Sequence, residues 1–323
     1  MPSTLHITNG DAVQLTETGL AGEVLIWRDV LHEGPVPTGK ILDEMRPIRA
    51  RFLAGISGQS EDEIRGCLER RDQTLARFAG FGEVILWFEH DLYDQLQLIQ
   101  ILDWFSRQDL GRTTLSLIAT DRYLGQLRPD ELRRLYPGRQ LVSQAQLELA
   151  ARAWAAFTAA DPVRMVEFVR EDTSLLPHLG GALLRHLEQF PSVRNGLSRT
   201  QQQILRIADA GPSSVQTMFC ADRDLEERIF MGDLVFNYYV RALANARVPL
   251  LRTVQEANPF GKTQVAITAE GKAVMRGEQD HLNLNGIDCW LGGVHLHGNH
   301  VWRWNGEQGR LESSRSPSSR PIN

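Results

Sequence analysis

The chain predicts an α/β protein in which a mostly parallel open sheet with helices on both faces is followed by a helical connector and a winged-helix-like α+β domain. Three observations support this fold class. Short apolar runs alternate with helix-period segments over the first 142 residues. An alanine-rich helical pattern begins at Ser143. After a turn-rich segment at residues 191–196, three helix patterns precede two strand patterns.

The elements of the first domain, residues 1–142, follow from the period of the hydrophobic residues. Strand patterns occur at residues 5–8, 23–27, 84–88 and 114–119, with a last short strand at 141–142. Helix patterns occur at residues 13–18, 43–54, 61–79, 92–105 and 129–135. Because strands alternate with helices, most strands are expected to be parallel.

The most informative stretch covers residues 83–105. An apolar run typical of a buried strand ends at Phe88, and Glu89, His90 and Asp91 follow directly. From residue 92 onward, apolar side chains recur every three or four residues, which is the spacing of one helix face. In open parallel sheets, ligands bind beyond the carboxyl ends of the strands, so this corner is the expected ligand site.

Polar residues follow each of the four longer strands. If these strands are parallel, all four polar clusters lie at one edge of the sheet, where charged groups are costly to bury unless they are paired or used. We therefore predict a ligand site at this edge. The catalytic candidates are His32, Glu33 and His90, and the ligand-binding candidates are Asn9, Gly10, Asp11, Arg28, Asp29, Glu89, Asp91, Asp94 and Asp121.

The same clusters also have structural interpretations. These are helix capping by Asp91 with Asp94 and by Asp121, a turn at Asn9-Gly10-Asp11, and a surface ion pair between Arg28 and Asp29. His32 and Glu33 differ, because they lie in a loop rich in glycine and proline where neither helix nor strand formation needs them. Function is favoured more strongly for these two residues.

Several kinds of chemistry fit this set of residues. Carboxylates with one or two histidines bind divalent cations such as Mg²⁺ or Mn²⁺, which activate water or hold phosphate. The oxygen ligands would be Asp11, Glu89, Asp91 and Asp121, and His32 or His90 would be a nitrogen ligand or a general base. A metal-free site, in which Arg28 and the acids hold a sugar or nucleotide, also remains open. The first domain carries no dinucleotide-binding glycine motif, phosphate-binding loop, nucleophile elbow or zinc-protease motif.

The second half predicts a helical connector at residues 143–195 and a winged-helix-like domain at residues 196–282. A winged helix suggests DNA binding, which depends on contacts between cationic side chains and phosphates. Residues 197–282 contain ten Lys and Arg residues and ten Asp and Glu residues. This balance disfavours nucleic acid as a partner and favours a structural or protein-contact module.

The segment at residues 283–305 is rich in Trp, Gly and His. His295, His297 and His300 suggest a metal, but the alternation along residues 294–297 favours a strand that pairs with residues 301–304 across Gly298-Asn299. We expect Trp290, Trp302 and Trp304 to pack this hairpin on the first domain and to wall part of its site. Residues 306–323 are rich in Ser, Arg and Pro and are expected to be disordered.

Composition limits the function classes. A chain of 323 residues is too long for one ordinary hydrophobic core, which favours two domains, and 42% of its residues are hydrophobic. The net charge of −5 gives no overall attraction to nucleic acid or to an anionic membrane. The three cysteines are far apart in the sequence, which suits a reducing cytosol and three small buried side chains. The first ten residues lack the pattern of a signal peptide, and no apolar run reaches membrane-spanning length. We expect a cytoplasmic protein with no membrane partner.

Four segments, LHITNGD, VLIWRDVLHEGPVP, LWFEHDLYDQLQLIQILDWF and NGIDCWLGGVHLHG, together resemble a bacterial family of uncharacterised proteins. That family is known by an N-terminal "domain of unknown function 1835". The likeness covers the first 140 or so residues best and brings no established activity. The resemblance implies that the signature segments contain Asn9, Gly10, Asp11, Arg28, Asp29, His32, Glu33, Gly34, Pro35, Glu89, His90, Asp91, Asp94 and Gln95.

Three functional hypotheses follow. The first is a site for a polar small molecule, phosphorylated or nucleotide-like, with metal-assisted hydrolysis or transfer as its chemistry. The second is a ligand-responsive transcription regulator that uses the winged-helix domain. The third is a non-catalytic interaction protein. The four polar clusters favour the first hypothesis.

Overall fold

The computed structural model describes residues 3–298 and 301–313, and the chain divides into two compact units, residues 1–183 and 184–323. The strands of the first unit are β1 (Thr4–Asn9), β2 (Glu23–Trp27), β3 (Gly34–Pro35), β4 (Glu83–Phe88), β5 (Thr114–Ala119) and β6 (Gln140–Leu141). Its helices are α1 (Leu42–Ser57), α2 (Glu61–Ala76), α3 (Leu92–Phe105), α4 (Pro129–Leu135), α5 (Gln144–Phe157) and α6 (Val163–Val169). Helix α7 (Leu179–Leu187) contains the division between the units.

Five strands form the sheet of the first unit, in the order β2-β1-β4-β5-β6. Strands β2, β1, β4 and β5 are parallel, and β6 joins the edge in the antiparallel direction. The chain first adds β2 on one side of β1 and then returns to add β4 on the other side. The predicted mostly parallel sheet is confirmed, and its order places a topological switch point between β1 and β4.

Helical segments cover both faces of this sheet. On one face, Ile85, Trp87 and Ile118 pack with Leu132 of α4. On the opposite face, the indole Nε1 of Trp27 donates a hydrogen bond to Gln100 of α3 at 3.0 Å. Both faces therefore exclude water, which explains why the strands read as nearly continuous apolar runs.

Helix α3 is more deeply buried than its predicted amphipathic pattern implies. The expected apolar face is buried, but polar residues of the same helix, including Asp94, Gln97 and Gln100, are buried as well. Buried polar side chains need partners within the protein. This helix is therefore where polar interactions inside the first unit concentrate.

The second unit combines helices with small antiparallel sheets. Its helices are α8 (Arg199–Asp209), α9 (Val215–Arg223), α10 (Asp233–Ala244), α11 (Ala269–Arg276) and α12 (His281–Asn285). Its strands are β7 (Ser213–Ser214), β8 (Leu251–Gln255), β9 (Gln264–Ile267), β10 (Asp288–Gly292), β11 (Val294–His297), β12 (Trp302–Asn305) and β13 (Arg310–Ser313). The order of three helices, α8 to α10, followed by the antiparallel pair β8 and β9 is the one predicted.

The prediction for the Trp/Gly/His segment is wrong in its strand pairing. Strand β11 pairs with β10, with Leu291 opposite Val294, and β12 pairs with β13 instead of β11. The turn is at Gly292, which has a φ of +59°, a value that favours glycine at a tight hairpin turn. The predicted turn includes Asn299, which lies outside the described residues, as does His300.

Three smaller expectations also need correction. Residues 13–18 contain only a short 3-10 helix, Leu15–Glu17, instead of an α-helix. Cys67 and Cys220 are exposed and Cys289 is half-buried, so the cysteines are not buried side chains. Strand β13 orders part of the segment expected to be disordered, and residues 314–323 lie outside the described residues. No helix in the described part of the chain has both the length and the apolar character needed to cross a membrane.

Candidate functional site

The polar clusters after β1, β2, β4 and β5 follow strands that end at the same edge of the sheet. Asn9 lies opposite Trp27 at the end of β2, and Phe88 of β4 lies opposite Ala119 of β5. Because all four strands run in one direction, the chain leaves each of them on the same side. The predicted common edge is therefore confirmed, and it includes the switch point between β1 and β4.

Three buried carboxylates lie at this switch point. One oxygen from each of Glu89, Asp91 and Asp94 lies within 4.8 Å of the oxygens of the other two. We call this group the acidic corner. Among the described residues, it is the one group of three or more potential metal ligands that lie this close together. Asp94 has no exposed surface, and Glu89 and Asp91 are also buried.

Hydrogen bonds from the backbone and from β1 hold the acidic corner in place. Asp91 caps α3, as predicted, because its Oδ1 accepts a hydrogen bond from the Asp94 N–H at 3.1 Å. The Glu89 N–H donates to Asp94 Oδ1 at 2.7 Å, and the side-chain amide of Asn9 donates to Asp94 Oδ2. The Leu124 N–H donates to Glu89 Oε1 at 2.7 Å. The last residue of β1 and groups that follow β4 and β5 thus meet at these carboxylates.

Burial and mutual repulsion perturb the titration of the acidic corner. Burial, followed by the nearby Asp91 carboxylate, raises the pKa of Glu89 to about 7. Burial, followed by Asp91 and Glu89, raises the pKa of Asp94 well above its ordinary value. Backbone hydrogen bonds to both groups oppose these shifts only in part. Near neutral pH, the corner therefore retains protons unless a cation replaces them.

Two of the predicted histidines lie at this edge, each beside an aromatic ring. The His32 ring centroid is 6.0 Å from that of Tyr93, which is the residue before Asp94 in α3. The His90 ring centroid is 4.9 Å from that of Tyr123 and 6.0 Å from that of His178. His32 and His90 are both buried, so any proton transfer through them takes place away from bulk water.

The loop after β2 is held by Arg49, which is 1% exposed. Its Nη2 donates to Asp29 Oδ1 at 2.7 Å and to the Val30 carbonyl at 2.8 Å, and its Nη1 donates to the Glu33 carbonyl at 2.8 Å. The predicted ion pair between Arg28 and Asp29 is therefore wrong, since Asp29 pairs with the buried Arg49. Arg49 thus binds Asp29 and the backbone on both sides of His32.

Gly34 adds a second constraint on the same loop. Its φ is +75°, and a Cβ at this position would lie 2.4 Å from the ring of Phe52 in α1. Only glycine fits here. The glycine and proline residues of this loop therefore fix its path against α1.

Arg28, Asp11 and Asp121 are at the same edge but are exposed. Arg28 pairs with Asp11, and Arg28 Nε donates to Asp11 Oδ1 at 2.9 Å. Asp121 does not cap the next helix, because α4 starts at Pro129 after Arg128. Of the four acids predicted as oxygen ligands, only Glu89 and Asp91 lie in the acidic corner, and the third carboxylate there is that of Asp94.

Several residues of this edge were missed as candidates by sequence reasoning. Arg49 lies in the middle of a helix with other charged residues, and no local pattern distinguishes it. Tyr93 lies next to Asp94 in the sequence, but its ring contact with His32 joins residues that are far apart in the sequence. A local pattern cannot predict such a contact. Gln95 donates from its side chain to the Glu89 carbonyl at 2.6 Å. The position of Gln95 in the signature segment is the one available sequence signal.

No protein-family model matches this chain, and no curated protein sequence matches it.

Proposed function

We propose that the acidic corner binds a divalent cation, Mg²⁺ or Mn²⁺, and that through this cation the sheet edge binds a small phosphorylated or nucleotide-like molecule. The observation that carries the proposal is the approach of three buried carboxylates to within 4.8 Å at the switch point of the sheet. Neither Glu89 nor Asp94 has a cationic side chain among the groups that perturb its pKa. A bound cation would offset their repulsion.

The chemistry and spacing of the donor atoms fit such a cation. Carboxylate oxygens suit Mg²⁺, Mn²⁺ and Ca²⁺. Oxygens bound to Mg²⁺ at about 2.1 Å are at most about 4.2 Å apart, and those bound to Ca²⁺ at about 2.4 Å are at most about 4.8 Å apart. The three carboxylate oxygens lie within 4.8 Å of one another, so small shifts of the side chains would bring all three onto one such cation.

A directly bound phosphate is less favourable at this position. The first turn of α3 uses its own Asp91 as a cap, and this carboxylate would repel an anion there. Arg28 is already paired with Asp11. Cation-dependent binding of the phosphorylated ligand is therefore the version of the site that these contacts support best.

Within this proposal, His32 and His90 are the candidates for moving a proton at the ligand. Both are buried at the same edge and lie beside tyrosine rings. Glu33 is held by its backbone to Arg49, and we assign it to the loop that positions His32. Hydrolysis or transfer of a phosphoryl group is the reaction class that this set would serve.

The proposal also concerns the family of the chain, the fold relationships of its two units and its cellular compartment. We propose that the chain belongs to the family that its four signature segments resemble, and with it a bacterial origin; these segments include the acidic corner and the loop after β2. The strand order supports a Rossmann-like first unit, and the element order supports a winged-helix relationship for the second. Three free cysteines suit a reducing compartment and hence the cytoplasm.

A titration with Mg²⁺, Mn²⁺ and Ca²⁺ tests the site, with thermal unfolding and calorimetry as measurements. The key variant is Asp91→Ser, because serine retains the N-cap of α3 and removes the carboxylate. The matched control is Asp161→Ser, since the exposed Asp161 accepts a hydrogen bond from the Val163 N–H near the start of α6. At about 100 times the Kd, binding should stabilise the protein by about 2.7 kcal/mol.

We expect the wild type and Asp161→Ser to be stabilised and Asp91→Ser to lose this response. Nucleotides and sugar phosphates should then add stability only when the cation is present. Absence of a response to all three cations, or an unchanged response in Asp91→Ser, would rule out the proposed site.

A further inference from the structure

A cleft in the first unit lies away from the acidic corner, among α1, α2, α3 and α5. It has a volume of about 400 Å³, and its lining includes Met45, Ala76, Gln100, Trp104 and Trp154. Helix α3 connects the two places, with Asp94 in its first turn and Trp104 in its last. At a rise of about 1.5 Å per residue, these two residues are about 15 Å apart along the helix. The cleft is thus a separate feature from the proposed cation site.

Gln100 gives this cleft a hydrogen-bond donor. The indole N–H of Trp27 donates a hydrogen bond to Gln100 Oε1 at 3.0 Å. The other polar atom of the Gln100 side chain is the amide donor Nε2. Nε2 has no acceptor among the described residues. Gln100 is 4% exposed and lines the cleft, so its remaining surface opens on this space. Facing this space, the amide donor is free to bond to water or to a ligand that enters the cleft.

Two indole rings supply the apolar part of the lining. Trp154 is buried and Trp104 is half-buried, where it packs edge-on against Phe78 and Phe105. Within the described part of the chain, neither indole N–H has an acceptor. Aromatic walls with a few polar donors are typical of sites for planar organic molecules.

The charged groups of the lining favour a neutral ligand. Three cations and three acids line the cleft: Lys40, Arg46, Arg107, Asp43, Asp72 and Asp103. Each cation is already paired, for example Arg107 with Asp103 at 2.7 Å and Arg46 with Asp72 at 3.2 Å. An anionic ligand would compete with these carboxylates for the cations and would lie close to three acids, whereas a neutral one would not.

We propose that this cleft binds a neutral, planar heteroaromatic molecule of nucleobase, nucleoside or nicotinamide size that carries a carbonyl or ring-nitrogen acceptor. The acceptor bonds to Gln100 Nε2, and the ring lies against Trp104 and Trp154. This site is independent of the cation at the acidic corner.

The test measures binding of adenosine and nicotinamide to the full chain in EDTA by calorimetry and tryptophan fluorescence, with AMP as the charged counterpart of adenosine. The blocking variant is Ala76→Leu, because Ala76 is exposed at the end of α2 and lines the cleft. Leucine is nearly as good a helix former as alanine, so the fold should be preserved. The matched control is Ala155→Leu on α5, which is exposed and lies outside the lining.

We expect saturable binding of adenosine or nicotinamide to the wild type and to Ala155→Leu, and at least tenfold weaker binding to Ala76→Leu. AMP should bind no more tightly than adenosine. The proposal is overturned if neither neutral probe binds up to its solubility limit, if Ala76→Leu binds as tightly as the wild type, or if AMP binds and adenosine does not. Because EDTA removes divalent cations, these outcomes are separate from those of the cation titration.

Discussion

Asp94 is completely buried and yet lies within 4.8 Å of two further carboxyl groups. Ionising all three would place three negative charges in one small volume shielded from water, so the folded state retains protons where the unfolded chain would release them. Asp222 in the second unit has the same problem, because it is buried near Glu226. At the scale of single residues, such groups make the free energy of unfolding depend on pH.

The first prediction concerns Glu89. Its pKa is raised from 4.5 in the unfolded chain to about 7 in the folded protein. The contribution of Glu89 to the free energy of unfolding is therefore fully present below pH 4.5 and is lost as the pH rises toward 7. The decline amounts to about 3 kcal/mol at most. In EDTA, Glu89→Gln should remove this decline and be more stable than the wild type above pH 7, because its Oε1 can still accept from Leu124. Urea unfolding from pH 5 to 8 measures this.

The control for this prediction is Glu17→Gln, since Glu17 is exposed. We expect it to have the pH dependence of the wild type. An equally steep loss of stability in Glu89→Gln would show that Glu89 is not the group that titrates.

The second prediction concerns Asp222 in α9. Burial, followed by Glu226, raises its pKa from 3.8 to about 7, against the attraction of Arg185 and Arg199. Its Oδ1 is buried and has no hydrogen-bond partner among the described residues. Asp222→Asn should therefore be the more stable protein above pH 7, by up to about 4 kcal/mol, and nearly equal to the wild type at pH 3. The exposed Asp224→Asn is the control, and an equal gain in that variant would contradict the assignment.

At the scale of elements, success in prediction depended on how local the deciding contact is. Asp91 was recognised as a cap because its partner, the Asp94 N–H, is only three residues away. The ion pair assigned to Asp29 was wrong because its partner is 20 residues away, in the middle of α1. The hairpin at residues 288–297 was misassigned because the alternation of side chains predicts a strand without naming its partner, and the Gly292 turn was overlooked.

The third prediction concerns Arg49 and the loop after β2. Arg49→Met keeps the length of the side chain and leaves Asp29 as a buried charge without its cation, which should destabilise the protein by about 3–5 kcal/mol. The neighbouring Arg51→Met is the control, because the Arg51 side chain is 79% exposed. The double variant Arg49→Met, Asp29→Asn should recover part of the loss. If Arg49→Met unfolds at the urea concentration of the wild type, this loop has another support.

For the whole molecule, the pattern of the strands was sufficient to predict the sheet and its common edge. Parallel strands follow from alternation with helices, and parallel direction alone brings Asn9 and Glu89 to one edge although they are distant in sequence. Which side chains at that edge touch could not be predicted in the same way. Asp11 and Asp121 lie outside the acidic corner and are exposed. The spacing of residues in the sequence does not reveal this exposure or the order of the strands.

The fourth prediction concerns nucleic acid and the whole chain. The net charge is −5, and residues 197–282 carry equal numbers of cations and acids. The hairpin of β8 and β9 carries two cations, Arg252 in β8 and Lys262 in its loop, which is few for contacts with DNA phosphates. We therefore expect no salt-dependent retardation of duplex DNA in a gel at low ionic strength, with an established winged-helix protein as the positive control. Retardation that disappears with added salt would restore the transcription-regulator hypothesis.

The fifth prediction combines the two titrating groups. Glu89 is in the first unit and Asp222 is in the second, and the groups that perturb their pKa values do not overlap. Independent sites contribute additively to the free energy of unfolding, within about 0.5 kcal/mol. The double variant Glu89→Gln, Asp222→Asn should therefore gain, at pH 8 in EDTA, the sum of the two single gains. It should gain almost nothing at pH 3, where both carboxyls are mostly protonated in the folded and in the unfolded state. A four-protein urea cycle at both pH values gives the coupling energy. A coupling energy above about 1 kcal/mol at pH 8 would mean that the two carboxyls titrate as one system, and the separate assignments of the two pKa values would then fail.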